Sequence, residues 1–246
     1  MEIKGSVALV SGANKGIGKE FVKALHDMEA DRIYACARDE SKLSEVVALD
    51  PQRIIPLALD ITSEPSIQAA VERCQDVTLL INNAGVGYDA GLIAAPDLSH
   101  ARKEMETNYF GTLIMCRAIA PLLKQNGGGA IVNTLSSLAL SNLPFRGSYS
   151  ASKAAALSMT QGIRAELAAQ GTLVVAMLPG TVDTDFSKNS DNPKTAPDTV
   201  ANAALQAVID GVEEVYPGDE AQWAIDLLNR DRKALEKQMA QQLPRS

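Results

Sequence analysis

"SVALVSGANKGIG", residues 6–18, is the stretch on which the reading of this chain turns. Residues 6–10 form a short, mostly apolar run of the kind that makes a buried strand. It passes directly into Gly12, Gly16 and Gly18, and an amphipathic helical pattern follows over residues 17–28. Glycines between a strand and a helix let the chain turn tightly, bring backbone N–H groups up to an anion, and let helix and strand pack closely. The spacing, G-x-x-x-G-x-G, differs from the commoner G-x-G-x-x-G and lacks the Gly-Lys-Ser/Thr ending of a P-loop. Loop glycines alone also make an ordinary tight turn. A dinucleotide cradle requires in addition that the rest of the chain alternate strand and helix.

It does. Outward from the glycine turn, apolar runs with strand character recur at "RIYACA" (32–37), "RIIPLAL" (53–59), "VTLLIN" (77–82), "GAIVNTL" (129–135) and "TLVVAML" (172–178). Between them lie helix-period segments. One is polar, near 39–48. Another, over 64–74, has Ser63 as N-cap and Pro65 in its first turn. A long one, over 98–125, contains Pro121, which should kink or break it. Another opens with "SYSASKAAAL" (148–157). Beyond a polar segment rich in turn formers, residues 185–198, a helix is expected over 198–210, a short strand over 212–216 and a charged C-terminal helix over 219–241. Near-continuous apolar strands separated by helices describe a parallel sheet covered on both faces, and right-handed crossovers make it doubly wound. The expected architecture is therefore α/β, three layers deep, as one domain over residues 1–246.

Composition narrows the function. The chain has 246 residues, 46% of them hydrophobic, and a formal net charge of -7. That sign repels phosphate backbones and anionic lipid, which argues against nucleic-acid and membrane partners. The three cysteines, Cys36, Cys74 and Cys116, are far apart and form no C-x-x-C, so they read as buried thiols in a reducing compartment. His26 and His100 have no second ligand at metal spacing, and no metal is expected. The N-terminal apolar run is too short for a signal peptide and no segment is long enough to span a bilayer. These features point to a soluble cytoplasmic protein.

The end of the second strand bears on which dinucleotide fits. An acid there holds a ribose 2′-hydroxyl, whereas a 2′-phosphate calls for positive charge. Here "ACARD" puts Ala37 and Arg38 at that end, and Lys15 lies in the glycine turn. Both cations would converge on the extra phosphate of NADP(H), and Arg38 would also stack on adenine. The alternative is two solvated surface cations, with Asp39 pairing its neighbour.

Taken together, "SGANKGIG" (11–18), Asp60 in "ALDIT", "NNAG" (82–85), Asn108 in "ETNYFG", "IVNTLSS" (131–137), "YSASK" (149–153) and "PGTVDT" (179–184) resemble the short-chain dehydrogenase/reductase family over nearly the whole chain, in family order. The resemblance implies a Rossmann-like fold and a hydride-transferring enzyme. Tyr149 matches the catalytic acid/base, Lys153 its activating lysine, Asn108 the support of a water-linked proton path, and Ser136 the catalytic serine, with Ser137 as the alternative. Gly12, Asn14, Lys15, Gly16, Ile17 and Gly18 match the cofactor cradle, and Asp60 and Ile61 the adenine site. Asn83, Ala84 and Gly85 match the cleft lining, with Pro179, Gly180, Val182 and Thr184 at the nicotinamide end. Family members form dimers or tetramers through the long helix and the Tyr-Lys helix, which implies a homodimer or homotetramer here.

The chemistry asks for these residue types. Tyr149 and Lys153 are one helical turn apart and share a face. A free phenol titrates near about 10 and is a poor base, and a nearby cation should lower that value. Lys153 is the only charged residue between Arg146 and Arg164, so it is expected to tune the phenol and to hold the nicotinamide ribose. Ser136 would bind the substrate oxygen, and the Asn108 amide would hold a proton-relay water. Substrate choice is expected from residues 86–98, 138–145 and the loop after Thr184. Leu138, Leu140, Leu143 and Phe145 favour an uncharged aldehyde, ketone or secondary alcohol with a hydrophobic body. The competing readings are an NADPH sensor without turnover, a structural subunit, and an alcohol dehydrogenase working in the oxidative direction.

Overall fold

Residues 1–244 are described by the computed structural model. Their apolar runs become seven strands: β1 (Val7–Ser11), β2 (Arg32–Ala37), β3 (Ile54–Ala58), β4 (Leu79–Asn82), β5 (Gly129–Thr134), β6 (Thr172–Met177) and β7 (Glu214–Val215). All pair in parallel, in the order β3-β2-β1-β4-β5-β6-β7. Side chains alternate between faces as strand geometry requires. Ala8 and Val10 enter one apolar cluster with Phe21 and Leu25 of α1 (Gly16–Asp27) and with Val200, Ala204 and Leu205 of α7 (Pro197–Asp210). Leu9 enters the opposite cluster, with Ile67 of α3 (Glu64–Arg73) and Met115 and Ile119 of α5 (Thr112–Gln125). The sheet is thus a middle layer between two helical layers, a Rossmann-like α/β/α domain. Cys36, Cys74 and Cys116 are free thiols buried in it.

The winding reverses between β1 and β4. Crossovers from β1 lead to β2 and β3 on one side, while β4 to β7 build out the other. At such a switch point the two loops leaving the carboxyl ends of the strands diverge and open a crevice. The glycine turn leaves β1 there, and the "NNAG" segment leaves β4.

Local signals explain most boundaries. Ser63 caps α3 by accepting from the Ser66 N–H, with Pro65 in the first turn. The polar helix expected over 39–48 is a 3-10 turn, Glu40–Leu43, running into the short helix α2 (Ser44–Val47). Two expectations need correction. Pro121 does not break the long helix, since α5 runs through it. The irregularity lies earlier, in a wide π-type turn, Met105–Gly111, between α4 (Ser99–Glu104) and α5. The C-terminal helix expected over 219–241 is two helices, α8 (Asp219–Arg230) and α9 (Arg232–Met239). Asp231 is extended between them, and its carboxylate accepts from the Lys233 and Ala234 N–H groups at 3.0 Å each, a strong N-cap that starts a new helix. Among the described residues no helix is long and apolar enough to cross a membrane.

Candidate active site

The glycine turn is held from below. Ser11 Oγ accepts from the N–H groups of Asn83 and Ala84, at 3.0 and 3.1 Å, and the Asn83 amide donates to the carbonyls of Ser11 and Gly12. Gly12 sits at φ +67, a region that side chains avoid. A Cβ on Gly18 would overlap the Gly12 carbonyl oxygen. The turn therefore packs α1 against β1 and leaves its outer face as a cradle with α1's N-terminus behind it, the geometry that suits a pyrophosphate.

A cleft of about 1820 Å³ extends from this cradle along the carboxyl ends of the strands. Small-molecule sites are commonly about 300–1,000 Å³, so a dinucleotide and a second ligand have room side by side. Of the residues the sequence nominated, Gly12, Asn14, Lys15, Gly16, Ile17, Arg38, Asp60, Ile61, Asn83, Ala84, Gly85, Ser136, Ser137, Tyr149, Lys153, Pro179, Gly180, Val182 and Thr184 line it. Gly18 and Asn108 do not. Gly18 lies beneath the cradle, and Asn108 lies behind the wall.

At the end of the cleft beside β2, Arg38 is exposed at the close of that strand. Asp39 does not pair with it. Its carboxylate accepts from the Ser41 N–H and hydroxyl at 3.1 and 2.6 Å, capping the 3-10 turn. Lys15 lies 3.6 Å from Asp185, both well exposed, a contact worth little in water. The Thr62 N–H and hydroxyl hold Asp60's carboxyl below the usual range. This donor set fits a cofactor with an adenosine phosphate, and the cradle fits its pyrophosphate.

At the other end, α6 (Gly147–Leu167) carries Tyr149 and Lys153 on one buried face. The Lys153 Nζ lies 5.8 Å from the Tyr149 ring centroid and donates to the Thr134 carbonyl at 2.8 Å. Ser136, extended at the end of β5, lies beside the phenol and accepts from the Leu138 N–H at 3.2 Å. Ser137 is instead tied down by its N–H to the Pro179 carbonyl, at 2.9 Å.

The electrostatics differ from expectation. Burial pushes the Tyr149 phenol up to about 12, and the Arg146 charge and the Ser136 hydroxyl only partly oppose it. Burial pushes Lys153 down to about 8. The expected lowering of the phenol by Lys153 is therefore corrected: desolvation outweighs the cations, and the cation that acts on the phenol is Arg146. The role expected of the Asn108 amide also needs correction. Its oxygen accepts from the Val86 N–H at 2.9 Å, and its nitrogen donates to the Val86 carbonyl at 2.8 Å and to Ser152 Oγ at 2.9 Å. With both amide hydrogens committed, Asn108 fixes the wall beside Gly85, and no donor of its side chain is left for a relay water.

Several supporting residues escaped the sequence reading. Asn82 donates to Asn133 at 2.9 Å, and Asn133 donates to Thr160 at 3.0 Å, a buried polar ladder tying β4 and β5 to α6. Glu104, fully buried, accepts from the Tyr88 N–H at 2.8 Å, and its charge acts to raise the phenol. Arg146 donates to Asp89 at 2.7 Å and lies over the Phe186 ring. Gln242, Leu243 and Pro244, beyond α9, line the cleft near Phe145, with the Gln242 carbonyl accepting from the Phe145 N–H at 3.2 Å. Paired polar residues on strands were the signal available for the ladder. The others have only long-range partners and left none. Among the described residues no group of three or more His, Cys, Asp or Glu side chains is arranged to hold a metal.

A switch-point cleft with a phosphate cradle at one end and a buried serine, phenol and amine at the other defines a nucleotide-dependent oxidoreductase. The family follows from comparison. Residues 6–195 match the family model described as short chain dehydrogenase, and the chain belongs to that family. A short-chain dehydrogenase from Burkholderia cenocepacia, solved in complex with NADP, is 46% identical with a TM-score of 0.92, covering 97% of this chain and 99% of that one. One from Burkholderia phymatum, solved with NAD, is 22% identical with a TM-score of 0.84, covering 96% and 97%, and supports the fold alone. An uncharacterized oxidoreductase of Staphylococcus saprophyticus is 31% identical over 219 residues, 85% of this chain and 93% of that protein.

Proposed function

We propose that this chain is an NADP(H)-dependent carbonyl reductase acting on uncharged aldehydes or ketones with a hydrophobic body. The observation that carries this reading is the Tyr149 phenol on the cleft wall beside Ser136, with Lys153 on the same buried face of α6. Burial keeps the phenol protonated at ordinary pH, so a proton is present for a carbonyl oxygen that gains charge, and the Arg146 charge and Ser136 hydroxyl that partly oppose the burial ease its release. When bound, NADP(H) supplies the hydride to the carbonyl carbon. Ser136 binds the substrate oxygen and the charge that develops on it. Tyr149 delivers the proton, and Lys153 orients the cofactor ribose and replenishes the phenol. Arg38 and Lys15 take the 2′-phosphate, Gly12 to Gly18 the pyrophosphate, and Asp60 and Ile61 the adenine. Asn83, Ala84 and Gly85 flank the ribose, with Pro179, Gly180, Val182 and Thr184 at the nicotinamide. Leu138, Leu143 and Phe145 give the substrate end its apolar wall. The three buried free thiols suit a cytoplasmic protein.

A cofactor-consumption screen over aldehydes, ketones and secondary alcohols, with NADPH and NADH separately, tests this. Turnover of apolar ketones with NADPH is expected. Activity confined to charged, sugar-like substrates would overturn the substrate class, and NADPH binding without any turnover would make the chain a sensor.

The same reading includes a homodimer or homotetramer. Ala151, Ala154, Ser158 and Gly162 give α6 an exposed, smooth face on which a second copy could approach closely. Light scattering at micromolar concentration should return a multiple of the chain mass. Ala154→Arg should shift that mass to the monomer, and a monomeric wild type would remove the proposal.

A further inference from the structure

Arg146 stands at the substrate end of the cleft, one turn before the proposed proton donor. Its guanidinium carbon lies 5.2 Å from the Phe186 ring centroid, 5.7 Å from that of Tyr149 and 6.0 Å from that of Phe145. Three rings around a planar cation desolvate it and fix its orientation. Nε is occupied, donating to Asp89 at 2.7 Å. Among the described residues the terminal nitrogens, Nη1 and Nη2, meet no hydrogen-bond acceptor. An arginine held this way serves the loops on one edge only, and unspent donors remain in a group that lines the substrate end.

We propose that Arg146 recognises a second acceptor oxygen on the substrate, so that the preferred compounds are dicarbonyls and keto esters rather than simple ketones. This rests on the carbonyl-reductase reading above. The guanidinium carbon lies 5.7 Å from the centroid of the phenol ring, so the second oxygen belongs within a few bonds of the reacting carbonyl and not at the far end of a long chain. Charge makes that oxygen neutral. Asp89 already offsets the cation, and a substrate carboxylate would meet it as well as the chain's formal net charge of -7. The hydrogen bond gains strength because the donor is charged and the rings exclude water.

The test compares diacetyl with butanone, and ethyl pyruvate with pyruvate, using NADPH and the full chain. Wild type should favour diacetyl and ethyl pyruvate. In Arg146→Met both diacetyl and butanone should slow, because the phenol also feels the guanidinium. The ratio of their kcat/KM values should fall about tenfold, mostly through KM, since a charged hydrogen bond contributes to one substrate only. Arg146→Gln, which keeps polar bulk, should lower the ratio likewise and serves if the methionine variant does not fold. An unchanged ratio with both rates reduced would make Arg146 a positioning residue for the loops and overturn the proposal. Pyruvate preferred over ethyl pyruvate would overturn the neutral-acceptor class. Absence of turnover on all four while the apolar ketones of the screen above are reduced would overturn this proposal and leave the carbonyl-reductase reading standing; absence of turnover in that screen as well would overturn the reading itself.

Discussion

In Tyr149→Phe, kcat for carbonyl reduction is expected to fall by about 10²–10⁴, the range that a positioned acid contributes. The change removes one oxygen and keeps the ring. That ring is buried, and packs 5.6 Å from the Phe186 ring centroid, so the fold and the binding of NADPH should survive. NADPH fluorescence titration on the variant separates the two properties. Unimpaired turnover would sink the mechanism, whereas lost turnover with retained binding locates the proton at this oxygen. The pH profile adds a second readout. A phenol at about 12 stays protonated throughout the accessible range, so Tyr149 places no limb below that value on the reductive rate. Lys153, lowered to about 8, is charged below that pH and loses its proton above it. Replenishment of the phenol should therefore weaken, and kcat fall, as pH rises through about 8. Lys153→Met should be slow at every pH and show no such limb.

How much of this could be read from residues alone depends on the range of the interaction. The sheet was legible because "SVALV" and "VTLLIN" carry their burial in their own composition, and the glycine turn because a tight approach after β1 admits few other side chains. The shared face of Tyr149 and Lys153 was legible because helical spacing fixes it, whereas their roles came from the family resemblance, since a phenol and an amine one turn apart are as often a core cap and a surface lysine. Burial could not be read the same way. The spacing predicted that Lys153 lowers the phenol, but the size of the desolvation opposing it depends on what Phe186 and the 86–98 segment do far along the chain. Asn108 shows the same limit: its place in "ETNYFG" was plain, yet its amide, carried on the π-type turn, is consumed by Val86 and Ser152, partners distant in sequence that meet it only in the fold. Asp231 left a readable trace that was overruled. An Asp inside a charged helical pattern is a capping residue as much as a surface one, and here the cap wins. Arg146 gave no signal at all, because Asp89 and Phe186 reach it only through the fold.

Reversing the charge at Arg38 should have the largest effect on cofactor choice. Arg38→Asp is expected to raise the Kd for NADPH about 10–100-fold and to bring NADH to parity or better. Three features set the size of the change. Arg38 is solvent-exposed at the end of β2, Asp39 is turned aside by Ser41, and Asp60, although its carboxyl feels the Arg38 charge, makes no ion pair with it among the described residues, so the guanidinium is open to a phosphate. The other cation, Lys15, lies 3.6 Å from Asp185 and is only weakly engaged there, so it can supply part of the lost attraction and keep the effect finite. A charge-assisted hydrogen bond contributes about 1.5–3 kcal/mol, which corresponds to the stated range. A carboxylate at position 38 adds repulsion toward a 2′-phosphate and, toward NADH, becomes an acceptor for the 2′-hydroxyl. Both Kd values should be measured at low and at physiological ionic strength. The NADPH preference of the wild type should shrink with salt, and the variant's discrimination against NADPH should shrink likewise, because attraction and repulsion between exposed charges are both screened. Equal wild-type affinity for the two cofactors, or a preference untouched by the substitution, would assign Arg38 to the solvated surface and leave the choice of dinucleotide to the rest of the adenine site.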